Sequence, residues 1–276
     1  MENLGPLTIP MKTQQKNIYF SPHLDDVVFS CAGTMHAQTS RAESVTVVTI
    51  FSGTPRKDSL SALARMRHET MWPDTGDVIA ARRLEDQKSL SFLGVQHQRW
   101  DYLECIYRCS SDGKPLYESL KDIYRDVPDK ELPLQHEILD KCRALVGPET
   151  TEKSRLFFPM SIGNHMDHRM IFNVGKAMAQ DGHSVLFYED VPYAWNKKSW
   201  KELLGYPHRE QEWKAHVFAS DIEIKIKAAQ MYPIGLSAFP RSKKGLFNSM
   251  RTYAASVAQP GGWAERFWEY RGKLDR

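Results

Sequence analysis

A chain of 276 residues, 41% of them hydrophobic and 26% charged, can bury a substantial core. Its mean hydropathy of -0.51 is that of a soluble protein, not a membrane one. A net charge of +3 gives no electrostatic case for nucleic-acid binding, which usually shows as a clustered basic face.

The first residues, to about Gln15, read as a loose arm. Met1 to Asn17 contains no apolar stretch of the signal-peptide kind, and no later run approaches the length of a membrane span. A cytoplasmic protein with no membrane anchor is therefore expected. Cys31, Cys105, Cys109 and Cys142 form no CxxC pair and are expected to be free thiols.

Lys16–Ser21 is predicted as the first strand, and a helix is expected over Asp25–Gln38. The near-continuous β-branched run in Ser44–Phe51 suits a parallel strand buried on both faces. Strand, helix, strand in this order makes a βαβ unit and predicts an α/β fold. Helices are expected over Ser59–Trp72 and over Asp77–Leu93. In the second, Val78, Ala81, Leu84 and Leu90 fall roughly at helical spacing, and Gly94 is a C-cap signal.

Gln98–Cys105 is expected to be a strand. The charged, proline-punctuated stretch Leu116–Pro133 is expected to be an insertion or lid. Then come a helix over Leu134–Val146, a loop over Gly147–Lys153, a strand over Ser154–Met160, a helix over Asp167–Gln180 and a strand over Val185–Tyr188. From about residue 195 the chain turns aromatic. Helices are expected over Asp221–Met231 and Leu246–Ala258, and the segment 263–270 is expected to dock back. Core packing is the expected use of most of the tryptophans. One domain over 1–276 is the simplest count.

Two of the expected strands deliver chemistry. The first is followed by Ser21-Pro22-His23-Leu24-Asp25-Asp26, the one at Ser154–Met160 by Gly163-Asn164-His165-Met166-Asp167-His168-Arg169. In open α/β sheets the binding crevice lies outside the carboxyl ends of the strands, so the two loops can converge there. An isolated HxDD also suits a helix N-terminus whose aspartates cap backbone N–H groups. Together, however, the loops supply three histidines and three aspartates. His, Asp and His would make an open metal site that leaves room for a water nucleophile. A spare carboxylate and a spare histidine remain for proton transfer and for stabilising a tetrahedral intermediate.

These residues resemble the PIG-L/LmbE family of zinc-dependent N-acetylglucosaminyl de-N-acetylases, whose signatures are PHPDDE near the N-terminus and HPDH in mid-chain. Arg82-Arg83-Leu84-Glu85, followed by Leu93-Gly94-Val95, is similar to a third family feature, RxxE on a helix ending in LGV. The resemblance spans about Ile18 to Tyr193. It implies a Rossmann-like, mostly parallel sheet flanked by helices, one Zn2+ per chain (other divalent metals also suit the ligands) and removal of an N-acetyl group from an amino sugar or glycoconjugate.

The resemblance further implies that His23, Asp26 and His168 bind the metal, that Asp25 is the general base, and that His165 is the charged or proton-donating group at the tetrahedral intermediate. Asp167 would orient a histidine. Arg82 matches the family's substrate-binding arginine. Glu104 sits where related sequences often carry a sugar-contacting aspartate, and Arg108 or Tyr107 is expected to join it. Glu189 and Asp190 are further crevice candidates.

Three positions depart from the signatures. Leu24 and Met166 replace loop-shaping prolines, and Val27 replaces a supporting glutamate. An amidase for a larger N-acyl group or a thiol conjugate, and a non-catalytic metal-containing carbohydrate-binding protein, are the alternatives. The expected partner is a small N-acetylated sugar or glycoconjugate. A homo-oligomer is compatible with the sequence, which does not set the oligomeric state.

Overall fold

The structure is a computed structural model that describes residues 15–271 except 57, 59, 74, 148–153, 197, 201–211 and 238–242. The expected N-terminal arm and most of the expected 147–153 loop lie outside the described residues.

The strands are β1 (Lys16–Ser21), β2 (Ser44–Thr49), β3 (Gln96–Arg99), β4 (Ser154–Pro159), β5 (Ser184–Tyr188), β6 (Trp213–Ala219) and β7 (Ala264–Tyr270). They form one sheet in the order β3-β2-β1-β4-β5-β7-β6. The first five run parallel, while β7 and β6 join antiparallel.

β1 lies between β2 and β4, with Lys16 beside both Ser44 and Ser154. From β1 the chain first builds outward through β2 and β3, then returns to build the other side through β4 and β5. The β1/β4 boundary is thus the point where strand order reverses, and the loops leaving both strands open into one crevice.

Among the described residues the main helices are α1 (Asp26–Ser40), α2 (Ala62–Met71), α3 (Val78–Phe92), α4 (Leu132–Val146), α5 (Met166–Gln180), α6 (Ile222–Ala229), α7 (Pro233–Ser237) and α8 (Lys243–Val257). α1 is buried along nearly its whole first half because α6 and the sheet cover it. α5 buries Met166, Met170, Ile171, Val174 and Met178, a stripe at helical spacing. Gly175 lets α5 lie directly on the sheet, since a Cβ there would stand 2.6 Å from the Phe158 ring. In the strands beneath, Phe20 stacks on Phe158 with centroids 4.4 Å apart.

Three expectations are corrected. The strand expected at Gln98–Cys105 is the shorter Gln96–Arg99, because the chain then turns to deliver Cys105–Tyr107, a single 3-10 turn, to the crevice. α3 buries only part of the expected stripe. Val78 and Leu90 are buried, but Leu84 is 51% exposed, and the buried side also carries Arg82, Glu85 and Asp86 beside Ile79 and Ser89. The C-terminal part also holds β6, which was not expected. The 263–270 segment docks as strand β7, whose Ala264–Tyr270 pairs residue for residue with β6.

Candidate active site

The loop after β1 turns sharply into α1. Asp25 takes φ 155° at the cap of the helix, and its side chain makes no capping bond. A non-glycine residue in that region is strained, and such strain collects at functional sites. The consequence is that the Asp25 carboxylate is left for the cavity, while Asp26 enters the first turn of α1. The loop after β4 holds Ser161, Gly163 and Asn164 at positive φ. Only glycine fits at 163, because a Cβ would stand 2.6 Å from the Tyr193 ring. His165 then caps α5, its Nδ1 accepting the Asp167 N–H at 3.3 Å.

These turns bring three donor atoms together. Asp26 Oδ2 lies 3.2 Å from His23 Nδ1 and 3.1 Å from His168 Nε2. The far nitrogen of each ring is already used: His23 Nε2 donates to Asp167 Oδ2 at 2.9 Å, and His168 Nδ1 donates to Asp190 Oδ1 at 2.7 Å. With those hydrogens committed outward, each inner nitrogen donates to the Asp26 carboxylate when its ring is protonated and presents a lone pair when it is not. In the neutral state the two lone pairs and the carboxylate oxygen make a donor set that could hold a cation. Ligands on a tetrahedral zinc stand about 3.3 Å apart for bonds of about 2.0–2.1 Å, so the spacing fits.

His165 brings a ring nitrogen within 4.8 Å of those of His23 and His168, and Cys105, His165 and Asp167 make a second such cluster. The second cluster is the poorer metal site. Asp167 Oδ2 already accepts from His23 and from the Cys105 N–H, and its Oδ1 is 2.7 Å from Arg108.

Burial shapes the charge states of the metal-free protein. It pushes the Asp25 carboxyl up to about 8, against the pull of Arg82. His165 is pushed down to about 3 by burial and by its neighbour His23, so its imidazole is neutral. For His168, burial acts downward, but the Asp26 and Asp190 carboxylates override it and hold the ring up at about 9. Asp167 stays ionised because Arg108 and His23 outweigh its burial.

A cavity of about 350 Å³ opens over this cluster, with Asp25, His165, Arg82 and Glu104 among its walls. Arg82 Nη1 donates to Glu104 Oε1 at 2.6 Å, and Arg82 Nη2 is 4.0 Å from Asp25 Oδ1. Glu85, the acid of the RxxE pattern, accepts the N–H groups of Ile234 and Gly235 and so fixes α7. Gly235 in turn leaves room for Asp25, whose Oδ2 is 2.9 Å from where a Cβ would be.

Among the expected site residues, Asp167, Asp190, Arg108, Tyr107 and Glu189 stand away from the cavity wall. Asp167 and Asp190 lie behind the imidazoles they bind, and Arg108 is clamped between Asp167 and Glu131. Glu189 is tied into the sheet by Arg266, Trp268 and Tyr253. Of the departures from the signatures, Leu24, Val27 and Met166 are all buried apolar side chains.

Sequence reasoning did not single out Trp72, Tyr124 and Tyr193, which also line the cavity. Tyr124 comes from the expected insertion and sets its ring edge-on to His165 at 5.5 Å. Its only signal was that this stretch is aromatic as well as charged. The tryptophans expected to pack do so in the cases of Trp195, Trp200, Trp213 and Trp268, whereas Trp263 is 44% exposed.

The sequence profile of the family described as PIG-L: GlcNAc-PI de-N-acetylase matches residues 18–179. The 2'-N-acetylparomamine deacetylase of Niallia circulans is 29% identical over 208 residues, which cover 67% of this chain and 72% of that one. The protein of the same name from Streptomyces fradiae is 26% identical, over 65% of this chain and 58% of that one. Among solved structures, the zinc-inhibited form of teicoplanin deacetylase Orf2 superposes with a TM-score of 0.79 at 25% identity, covering 94% of this chain and 100% of that one.

Proposed function

The chain belongs to the PIG-L family, GlcNAc-PI de-N-acetylase, and on that premise we propose that it removes the N-acetyl group of an amino sugar or glycoconjugate at a zinc site formed by His23, Asp26 and His168. The observation that carries this reading is the convergence of the inner ring nitrogens of two imidazoles on Asp26 Oδ2, at 3.2 and 3.1 Å. A divalent metal there would polarise the acetyl carbonyl and make water acidic enough to attack near neutral pH.

The remaining work falls to the chain. Asp25, on the cavity wall and free of any capping bond, takes the proton of the attacking water on its carboxylate. A raised pKa suits a general base near neutral pH. His165 accepts at Nδ1 from the backbone, so its hydrogen sits on Nε2. It acts as a neutral donor to the developing oxyanion rather than as an imidazolium. Asp167 and Asp190 hold the rings of His23 and His168 in register, the usual task of a carboxylate behind a metal-binding imidazole. Arg82 and Glu104 offer hydrogen bonds to sugar hydroxyls. Arg108 contributes indirectly, by holding Asp167.

The test is acetate release from a panel of N-acetylated amino sugars that includes 2'-N-acetylparomamine, with metal content measured on the same preparation. About one zinc per chain and release abolished by chelator is the expected result. Zinc-loaded protein that frees acetate from no member of the panel would overturn the reading.

A further inference from the structure

Arg67 is the cation on the cavity wall that the site itself leaves uncommitted. It sits on α2, half-buried, and lines the cavity with Met71, Trp72 and Arg82. Three and four residues away on its own helix stand Leu63, Ala64, Thr70 and Met71, so no acid occupies the spacings at which helices pair charges. The carboxylates of the same wall are engaged elsewhere. Glu104 and Asp25 face Arg82, and Asp26 faces the two imidazoles. Among the described residues Arg67 makes no ion pair, whereas Arg65 beside it bonds the Leu60 carbonyl.

A guanidinium presents a planar fork that matches phosphate and carboxylate oxygens two at a time. On the wall of a cavity that receives a sugar, an unsatisfied fork is a reader of substrate charge. We propose that Arg67 is a specificity residue that binds an anionic substituent, a phosphate or a carboxylate, carried by the N-acetylated sugar. The inference rests on the deacetylase reading for the sugar and on Arg67 for the anion. Arg67 reaches the cavity from α2, apart from the β1 and β4 loops that carry the reacting groups. The anion is therefore a handle for the substrate and takes no part in amide cleavage.

The experiment compares binding of four ligands by calorimetry: methyl N-acetylglucosaminide, N-acetylglucosamine 1-phosphate, its 6-phosphate and the corresponding 6-carboxylate. It uses zinc-loaded protein carrying Asp25→Asn to prevent turnover. Acetate release from the protein with Asp25 intact is assayed in parallel.

The expected result is that at least one anionic sugar binds about tenfold tighter than the neutral glycoside, a preference that salt weakens. In Arg67→Gln the ratio of affinities collapses toward one, and in Arg67→Lys part of it returns. The member of the set that is preferred distinguishes phosphate from carboxylate. Equal affinity for neutral and anionic sugars, or a preference that Arg67→Gln leaves intact, overturns the proposal; the second result would mean that the anion goes to the metal instead. An Arg67-dependent preference without acetate release would keep the anion site and sink the deacetylase reading. Acetate release without the preference would do the reverse.

Discussion

Asp25 and Asp26 are neighbours with opposite employment, and one backbone angle separates them. The strained φ at Asp25 directs its carboxylate to the cavity while Asp26 meets the imidazoles. Asp25→Asn should therefore lower turnover by about 10²–10⁴-fold with metal content retained, as acetate assay and elemental analysis would read. Asp190→Asn removes the acceptor of His168 Nδ1 and should weaken metal affinity by about 10–100-fold, measured by competition with a chromophoric chelator.

The proton on His168 gives a further prediction. Held at about 9 in the metal-free protein, it must leave when metal enters, so apparent affinity should rise with pH toward about 9 and flatten above it. The same proton stabilises the metal-free fold fully below the unperturbed 6.5, and this contribution is lost as pH rises through about 9. Chelator competition at a series of pH values would read the slope, and a flat profile would refute it. The convergence of the six motif residues was legible because the loops that carry them leave two strands, β1 and β4, that lie side by side. Trp72, Tyr124 and Tyr193 were not, because only the packed chain brings them to the same wall.

At the scale of elements, α3 shows how a helix can mislead. Its buried face is partly charged because it looks toward the cavity and toward α7 as well as toward the apolar core, and each charge has a partner across the gap. Asp86, for instance, accepts from Tyr232 and from Arg99. A reading built on apolar spacing finds only part of the buried side of such a helix, and Arg82 with Glu85 was the clue to the rest. β6 and β7 were hard to see for a related reason. Their sequences, WKAHVFA and AERFWEY, mix charges and aromatics on a partly covered sheet edge and lack clean alternation.

β7 also reaches into α1. Glu265 accepts the N–H groups of Gly33 and Thr34, and Lys225 from α6 joins it at 3.0 Å while donating to the Ser30 carbonyl. Glu265→Ala would leave a buried ammonium without its counter-charge and remove the carboxylate from two helix N–H groups. A loss of about 3–5 kcal/mol is expected, visible as a lowered urea midpoint. Glu265→Gln should lose less.

Across the whole molecule, the parallel half of the sheet could be read from the order of its elements, whereas the antiparallel half could not. Yet the second half is not an appendage. Phe267 of β7 packs edge-on to Phe157 of β4 at 5.4 Å, Tyr232 lies against Phe29 of α1 at 5.5 Å, and Gly235 lies against Asp25. Removal of residues 212–276 would uncover the β5 edge and one face of α1. Exposed strand edges and apolar faces drive aggregation. The truncated chain is expected to be insoluble, or to lack a cooperative thermal transition by circular dichroism. A soluble, cooperatively melting fragment would refute this.

The placement of β1 between β2 and β4 also bears on how the protein is made. As the chain emerges from the ribosome, β1 can pair with β2 early, but 144 residues separate His23 from Asp167. At about 5–20 residues per second, that is a delay on the order of ten seconds. Throughout it, the nascent chain carries only His23 and Asp26 of the proposed metal-binding set. On the proposed site, metal capture would wait until β4 has zipped onto β1, and a loaded centre would report that the two halves of the sheet have met.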